Sequence, residues 1–173
     1  MACNVTLSSI PQLCSVNLSG VKKIAIANYV EGAFTIDSTP EGNNVLVTIS
    51  ESVQDWVLLE PASETGSYTT TLTRNDSTGV CYWTTEITGN YNVMNADRAK
   101  AVDAIGQGRL VLVVEDMNGV VHCCGLDEAV TPSAITGQTG AARDDGAFYT
   151  ITLSTVSKHP DYICAAFPTI SGK

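Results

Sequence analysis

The sequence predicts a mainly β domain: a β-sandwich or barrel of about eight strands with one packing α-helix. Three observations carry this. Tyr68-Thr69-Thr70-Thr71-Leu72-Thr73 and Val80-Cys81-Tyr82-Trp83-Thr84-Thr85-Glu86-Ile87-Thr88 flank the turn formers Asn75-Asp76-Ser77-Thr78-Gly79. Their β-branched and aromatic residues favour a pleated, partly covered surface, which makes this a hairpin. Arg109-Leu110-Val111-Leu112-Val113-Val114-Glu115-Asp116 is a nearly continuous apolar run, the mark of a strand covered on both faces. Only one segment reads as a helix. It starts at Asn95 as N-cap, carries Asp97 in its first turn, shows a stripe of Ala96, Ala99, Val102 and Ile105, and ends at Gly106 and Gly108.

The remaining elements follow in chain order. The first nineteen residues are polar, are interrupted by Pro11 and read as an extended arm. From Val21 to Tyr29, Ile24 and Ile26 alternate with Lys23 and Ala25, which predicts a half-buried strand. Ser38-Thr39-Pro40-Glu41-Gly42-Asn43-Asn44 is a loop, Val45-Leu46-Val47-Thr48-Ile49 a short strand, and Trp56-Val57-Leu58-Leu59-Glu60 another, ended by Pro61. Met117-Asn118-Gly119 turns the chain into Val120-Val121-His122-Cys123-Cys124-Gly125, and Asn-Gly is a strong hairpin signal. Residues 129–146 hold a weak strand and an exposed loop; Phe148-Tyr149-Thr150-Ile151-Thr152-Leu153-Ser154 alternates as the last strand. The tail, with Pro160 and Pro168, reads as irregular. The organisation is an arm (1–19), a β-rich domain (20–155) and a C-terminal tail (156–173), with no internal repeat.

The chain has 173 residues, enough for one domain with its own core. Hydrophobic residues make up 44% and charged residues 16%, which excludes a disordered chain and leaves much surface for covered contacts. No apolar run approaches the roughly 18 residues that span a bilayer. The start, Met1-Ala2-Cys3-Asn4-Val5-Thr6, lacks the basic and apolar regions of a secretory signal, which predicts a soluble protein made in the cytoplasm without a membrane partner. The net charge is −9, and the densest cationic spot is the pair Lys22-Lys23. Nucleic-acid binding depends on Lys and Arg neutralising phosphates, so direct DNA or RNA binding is not expected. An acidic surface suits letting a duplex pass without sticking.

No catalytic, metal or cofactor residues are assigned. Of the two histidines, His122 lies beside Cys123 and Cys124. On a strand, His122 and Cys123 point to opposite faces while His122 and Cys124 share one, and residues two apart rarely exchange a proton. A sheet histidine beside packed thiols outweighs a Cys/His catalytic pair. The spacings of Cys3, Cys14 and the adjacent Cys123-Cys124 do not match paired zinc ligands, although Cys3, Cys14 and Cys124 are a conceivable set if gathered in space. The default for Cys3, Cys14, Cys81, Cys123, Cys124 and Cys164 is reduced, buried thiols, with bridges inside the monomer as the minority alternative. An intersubunit disulfide from Cys3 or Cys14 is the other open use of the arm. Gly137 and Gly140 lack the Lys-Ser/Thr of a phosphate loop. The acidic pairs Glu115-Asp116 and Asp144-Asp145 and the segment Asp116-Met117-Asn118-Gly119 look toward a cation site, but Asp127 stands where a calcium loop needs a bidentate Glu, so the segment is read as a hairpin turn.

Taken in order, several segments resemble small structural proteins from the neck and tail modules of tailed phages. These are Gly20-Val21-Lys22-Lys23-Ile24-Ala25-Ile26-Ala27-Asn28, the 67–73 strand with its partner at Tyr82-Trp83, the helix from Asn95 to Gly106 leading into 108–119, and Asp144-Asp145-Gly146-Ala147-Phe148-Tyr149-Thr150-Ile151-Thr152-Leu153. The pattern spans roughly residues 20 to 155 and is similar to proteins of phages of Bacteroidetes hosts, crAss-like phages among them. The Cys-bearing arm and the proline-containing tail stand outside it. The resemblance implies a tail-tube-like fold and a virion subunit with no enzymatic activity. It also implies homo-oligomeric rings of six or twelve copies around a DNA channel, between adjacent neck or tail proteins. Pro40–Asn44 and Ala129–Asp145 are the expected contacts to neighbours. The alternatives are a capsid decoration or receptor- or glycan-binding module, and a small Cys-dependent enzyme or thiol redox protein.

Overall fold

In the computed structural model, residues 9–10, 17–36 and 46–170 are described. They form two stacked sheets and one helix, and the expectation of a mainly β sandwich with a single helix holds. The larger sheet contains β1 (Val21–Asn28), β2 (Phe34–Ile36), β3 (Leu46–Ile49), β4 (Val57–Leu59), β7 (Leu110–Asp116), β8 (Val121–Cys124) and β11 (Ile163–Cys164), in the order β2-β3-β11-β8-β7-β1-β4. The smaller contains β5 (Ser67–Asn75), β6 (Val80–Asn92), β9 (Thr131–Gln138) and β10 (Phe148–Ser157), in the order β5-β6-β10-β9. All pairs are antiparallel except β11 with β3.

The apolar run in β7 explains the layering. Leu112 and Val114 face the smaller sheet, where they pack with Ile24, Ile26, Ile87, Ile151 and Leu153. Val111 and Val113 face the other way, into a second cluster of Ala25, Phe34, Val47, Trp56, Cys123 and Tyr162. A strand buried on both sides has no reason to alternate in polarity. β1 shares this position: Ile24 to Ala27 are all buried, so the half-buried reading gives way, because Ala25 and Ala27 fill the second face.

Four elements depart from expectation. β2 and β11 are strands of three and two residues, too short for a period to show. β11 lies inside the tail that reads as irregular, and β10 runs on to Ser157, past the expected end at Ser154. β9 is the weak strand expected within residues 129–146, so only the rest of the segment expected to reach neighbours is loop; the other such loop, 40–44, lies outside the described residues. The helix α1 (Ala96–Gln107) is capped as expected, Asn95 Oδ1 accepting from the Arg98 N–H at 2.8 Å. Yet Ile105 is its only buried residue, and Ala96 and Ala99 are exposed. The helix covers apolar side chains only in its C-terminal half, Val102 partly and Ile105 fully, and Gly106 lies within it, with Gly108 as the cap.

Val93, between β6 and α1, has φ of 69° and is 57% exposed. The left-handed region costs a β-branched residue about 1–2 kcal/mol, and here no burial offsets that. Its N–H donates to the Ala147 carbonyl at 2.9 Å, which any residue would retain. Val93→Gly should therefore raise the unfolding free energy by about 1 kcal/mol, read from urea titration.

Candidate functional site

The densest group of ionisable side chains forms where β8 meets the chain between β10 and β11. His122 leaves β8 toward the smaller sheet, the face shared by Cys124 and the β7 residue Val114 opposite it. Its Nδ1 lies 2.7 Å from Asp161 Oδ2, and its Nε2 lies 3.7 Å from Asp116 Oδ2. The first is a charge-assisted hydrogen bond; the second is ionic attraction beyond hydrogen-bond range. Tyr68 of β5 stacks on the imidazole at 4.6 Å between centroids and donates to Asp161 Oδ1 at 2.9 Å. Asp161 is thus shared by two partners from different sheets.

Burial opposes charge on His122, but the Asp161 hydrogen bond and charge, followed by Asp116, outweigh it and raise its pKa. Burial also works against the Asp116 carboxylate. The Val120 and Asn118 donors, with His122, nonetheless hold it below the usual carboxylate range. Tyr68 is pushed up, first by burial and then by Cys124 and Asp161, so its phenol stays protonated. The cluster sets an imidazole whose pKa is raised between two carboxyl groups, under an aromatic lid.

The parity argument for His122 and Cys124 holds, yet the two do not form a nucleophile–base pair. Tyr68 stands between them: Cys124 Sγ reaches Tyr68 Oη at 3.9 Å. Burial pushes the Cys124 thiol up to about 12, away from the thiolate that nucleophilic chemistry requires. Cys123 points into the opposite cluster and is disulfide-bonded to Cys164. This overturns the reduced default for those two cysteines. Side-by-side β8 and β11 bring their Cα atoms to 6.4 Å, within bridging range. Among the described cysteines, Cys81 is free and exposed and Cys124 free and buried. Cys3 and Cys14, and with them the conceivable zinc set and the intersubunit bridge, lie outside the described residues.

The other candidates have structural employment. Asp116 Oδ1 accepts the N–H groups of Asn118 and Val120 at 2.9 and 2.8 Å and organises the turn, as the hairpin reading requires. Asp127 accepts from the Lys158 N–H at 2.8 Å and from Tyr162 Oη at 2.6 Å. Gly137 lies in β9, where an added Cβ would fall 2.9 Å from the Tyr149 ring. The loop at Gly140 does offer two amides, but Asp145 Oδ2 takes both, from Ala141 at 2.8 Å and Ala142 at 2.7 Å. The Ala142 and Ala141 donors lower its pKa, and its carboxylate fills the place an anion would occupy. Lys22 and Lys23 both pair with Glu115, at 2.7 and 2.9 Å. One carboxylate thus offsets one of the two charges at the densest cationic spot. His159 contacts Tyr162 edge-on at 5.7 Å, far in role from His122.

Sequence reasoning missed Asp161 and Tyr68 as partners of His122. Asp161 follows a proline in an irregular stretch, and no spacing links it to a residue 39 positions earlier. Tyr68 was legible as an aromatic residue of a partly covered hairpin, but which neighbour it covers depends on how the sheets stack. The cluster joins β5, the β7–β8 turn and the C-terminal segment, and it borders an open recess of about 690 Å³ that Leu18, Ser19 and Glu64 also line. Comparison with protein-family models, with curated proteins and with solved structures finds no match to this chain.

Proposed function

We propose that this chain is a virion structural subunit that assembles into a homo-oligomeric ring or tube around the DNA channel of a phage neck or tail. One observation carries the reading: the smaller sheet has two long, open margins. β5 and β9 each lack an outer strand partner among the described residues, over nine and eight residues. Soluble monomers blunt such edges with charge, proline or bulges. Here β5 has only Arg74 near its tip. β9 has only Pro132 and a register shift opposite Thr152–Leu153, both at one end. Two different open edges on one sheet suit head-to-tail pairing between copies, which closes a ring or grows a tube. Six or twelve copies is the number that the family resemblance implies.

The outward face of this sheet supports the same reading. By alternation it carries Thr69, Thr71, Thr73, Thr84, Thr88, Asn90, Thr150, Thr152 and Ser154, with Glu86 as its one charged strand residue. Hydrogen bonds from Thr88 to Thr152 at 3.2 Å and from Thr150 to Asn90 at 2.8 Å tie these hydroxyls to one another. As a channel wall, that face offers DNA no cation to bind. The subunit would be made in the host cytoplasm and act in the virion beside adjacent neck or tail proteins.

Electron microscopy of the purified protein across a concentration series tests this, with closed rings or tubes of fixed symmetry expected. Single globules at every concentration would overturn it. Leu72→Lys supplies the mutational arm. Leu72 is 44% exposed on the margin strand, so the monomer should change by less than about 0.5 kcal/mol. Assembly should nonetheless require at least about tenfold more protein, because a lysine would be buried at the joint.

A further inference from the structure

The turn between β7 and β8 grips the chain ahead of β1 through one side chain. Asn118 Oδ1 accepts the Leu18 N–H at 2.8 Å, and its Nδ2 donates to the Leu18 carbonyl at 2.9 Å and to Asn17 Oδ1 at 3.0 Å. The amide thus engages both backbone groups of Leu18, as a neighbouring strand would. The Met117 N–H adds a bond to the Gly20 carbonyl at 3.1 Å. The turn is closed by Gly119 N–H to Asp116 O at 3.2 Å and Asp116 N–H to Val120 O at 3.0 Å, with Gly119 at φ of 82°. That is a three-residue loop with a glycine bulge. Asn118 is exposed, and it is the only asparagine in the chain followed by glycine.

We infer that Asn118 is a site of hydrolytic modification, and that loss of its amide releases the segment preceding β1 irreversibly. Once the Gly119 nitrogen gives its proton to solvent hydroxide, it attacks Asn118 Cγ. A new C–N bond forms, the bond to Nδ2 breaks, and Nδ2 leaves as ammonia after taking a proton from water. Water then opens the cyclic imide at either carbonyl, leaving aspartate or isoaspartate. The net change is amide plus water to carboxylate plus ammonium, and no oxidant or reductant is needed. Glycine at the next position matters because its nitrogen is not shielded by a Cβ. The closed turn restrains the step, since the Gly119 N–H is engaged and the amide is held by Leu18. Reaction therefore reports turn opening.

The product cannot restore the grip. An oxygen carrying negative charge replaces the Nδ2 donor, facing the Leu18 carbonyl at 2.9 Å and Asp116 Oδ2 at 3.4 Å. Two attractive contacts become repulsive ones. Isoaspartate also lengthens the backbone of the bulge, which breaks the register between Asp116 and Val120.

The test uses the full chain. Wild type is aged in mildly alkaline, ammonia-free buffer, and peptide mapping with aspartate and isoaspartate resolved locates the products. Hydrogen exchange at the Leu18 amide is then compared between fresh wild type, aged wild type and Asn118→Asp, with β7 amides as the control for folding. Asn118 should convert ahead of every other described asparagine. Leu18 exchange should be at least about tenfold faster in both altered forms while β7 stays protected. The inference is overturned if Asn118 survives while other asparagines convert, or if Leu18 keeps its protection. Loss of protection in β7 together with Leu18 would also overturn it, as general unfolding.

Discussion

Replacing Cys123 and Cys164 together with alanine should lower the unfolding free energy by about 4 kcal/mol. The bond closes a loop with a sequence separation of 41, and constraining the unfolded chain over that length is worth about that much. The topology adds a local consequence. Among the described residues, the β2–β3 pair is joined to the rest of its sheet only through β11, which pairs over just two residues on each side. Without the bond, β11 is held by that short ladder, the Asp161 contacts and the Tyr162–Asp127 hydrogen bond. The β2–β3 pair should then loosen before the sandwich does. Denaturant titration of the double variant against wild type measures the global loss, and limited proteolysis reports where opening begins. Equal stability with and without the bond, or first cleavage in the smaller sheet, would refute this. Cys124 cannot substitute by exchange, because it projects from the opposite face of β8 and is buried.

The disulfide also marks where the sequence stops being readable. Six cysteines allow many pairings, and nothing local distinguishes Cys164 from the others. β11 is defined by partners at Leu46 and His122, residues far away in the chain, so its two residues carry no signal of their own. By contrast, the β5–β6 hairpin, β7, β10 and the Asn95 cap were legible because each rests on local chemistry: β-branched runs around a turn cluster, an unbroken apolar stretch, a side chain one turn from a free N–H. The helix stripe was right in period and wrong in extent, since only tertiary placement decides that Ala96 and Ala99 face solvent while Ile105 does not. For the cluster at His122, parity correctly put Cys124 on the same face. It could not supply Asp161 or the interposed Tyr68, because these depend on which segments the two stacked sheets and the disulfide bring together.

That cluster gives the second large effect. Asp161→Ala should cost about 2–3 kcal/mol near pH 6, where His122 is an imidazolium. Tyr68 Oη loses its acceptor, which costs a buried hydroxyl about 1–3 kcal/mol, and His122 loses a charge-assisted bond worth about 1.5–3 kcal/mol. Both carboxylates remain partly wetted, which keeps the total in the lower part of that sum. The pH dependence follows from the direction of the shift. The His122 pKa is raised in the fold, so its contribution is complete below the unfolded value of about 6.5 and disappears as pH rises through the folded value. Asp116, whose pKa is lowered, acts at the other end: its contribution is present above its unfolded value of about 4 and is lost as pH falls through the folded one. The groups facing the imidazole are Asp161, Asp116 and Tyr68, with Cys124 behind Tyr68 and Glu64 across the recess. None of these adds a cation that would reverse the sign. Urea titrations of wild type, Asp161→Ala and His122→Gln at several pH values between 5 and 9 therefore have a defined outcome. Wild type should lose stability with rising pH, His122→Gln should remove that part of the loss, and the cost of Asp161→Ala should shrink toward the tyrosine portion alone. A cost for Asp161→Ala that is the same at every pH would mean that His122 is neutral in the fold, and that Asp161 serves only as an acceptor for Tyr68.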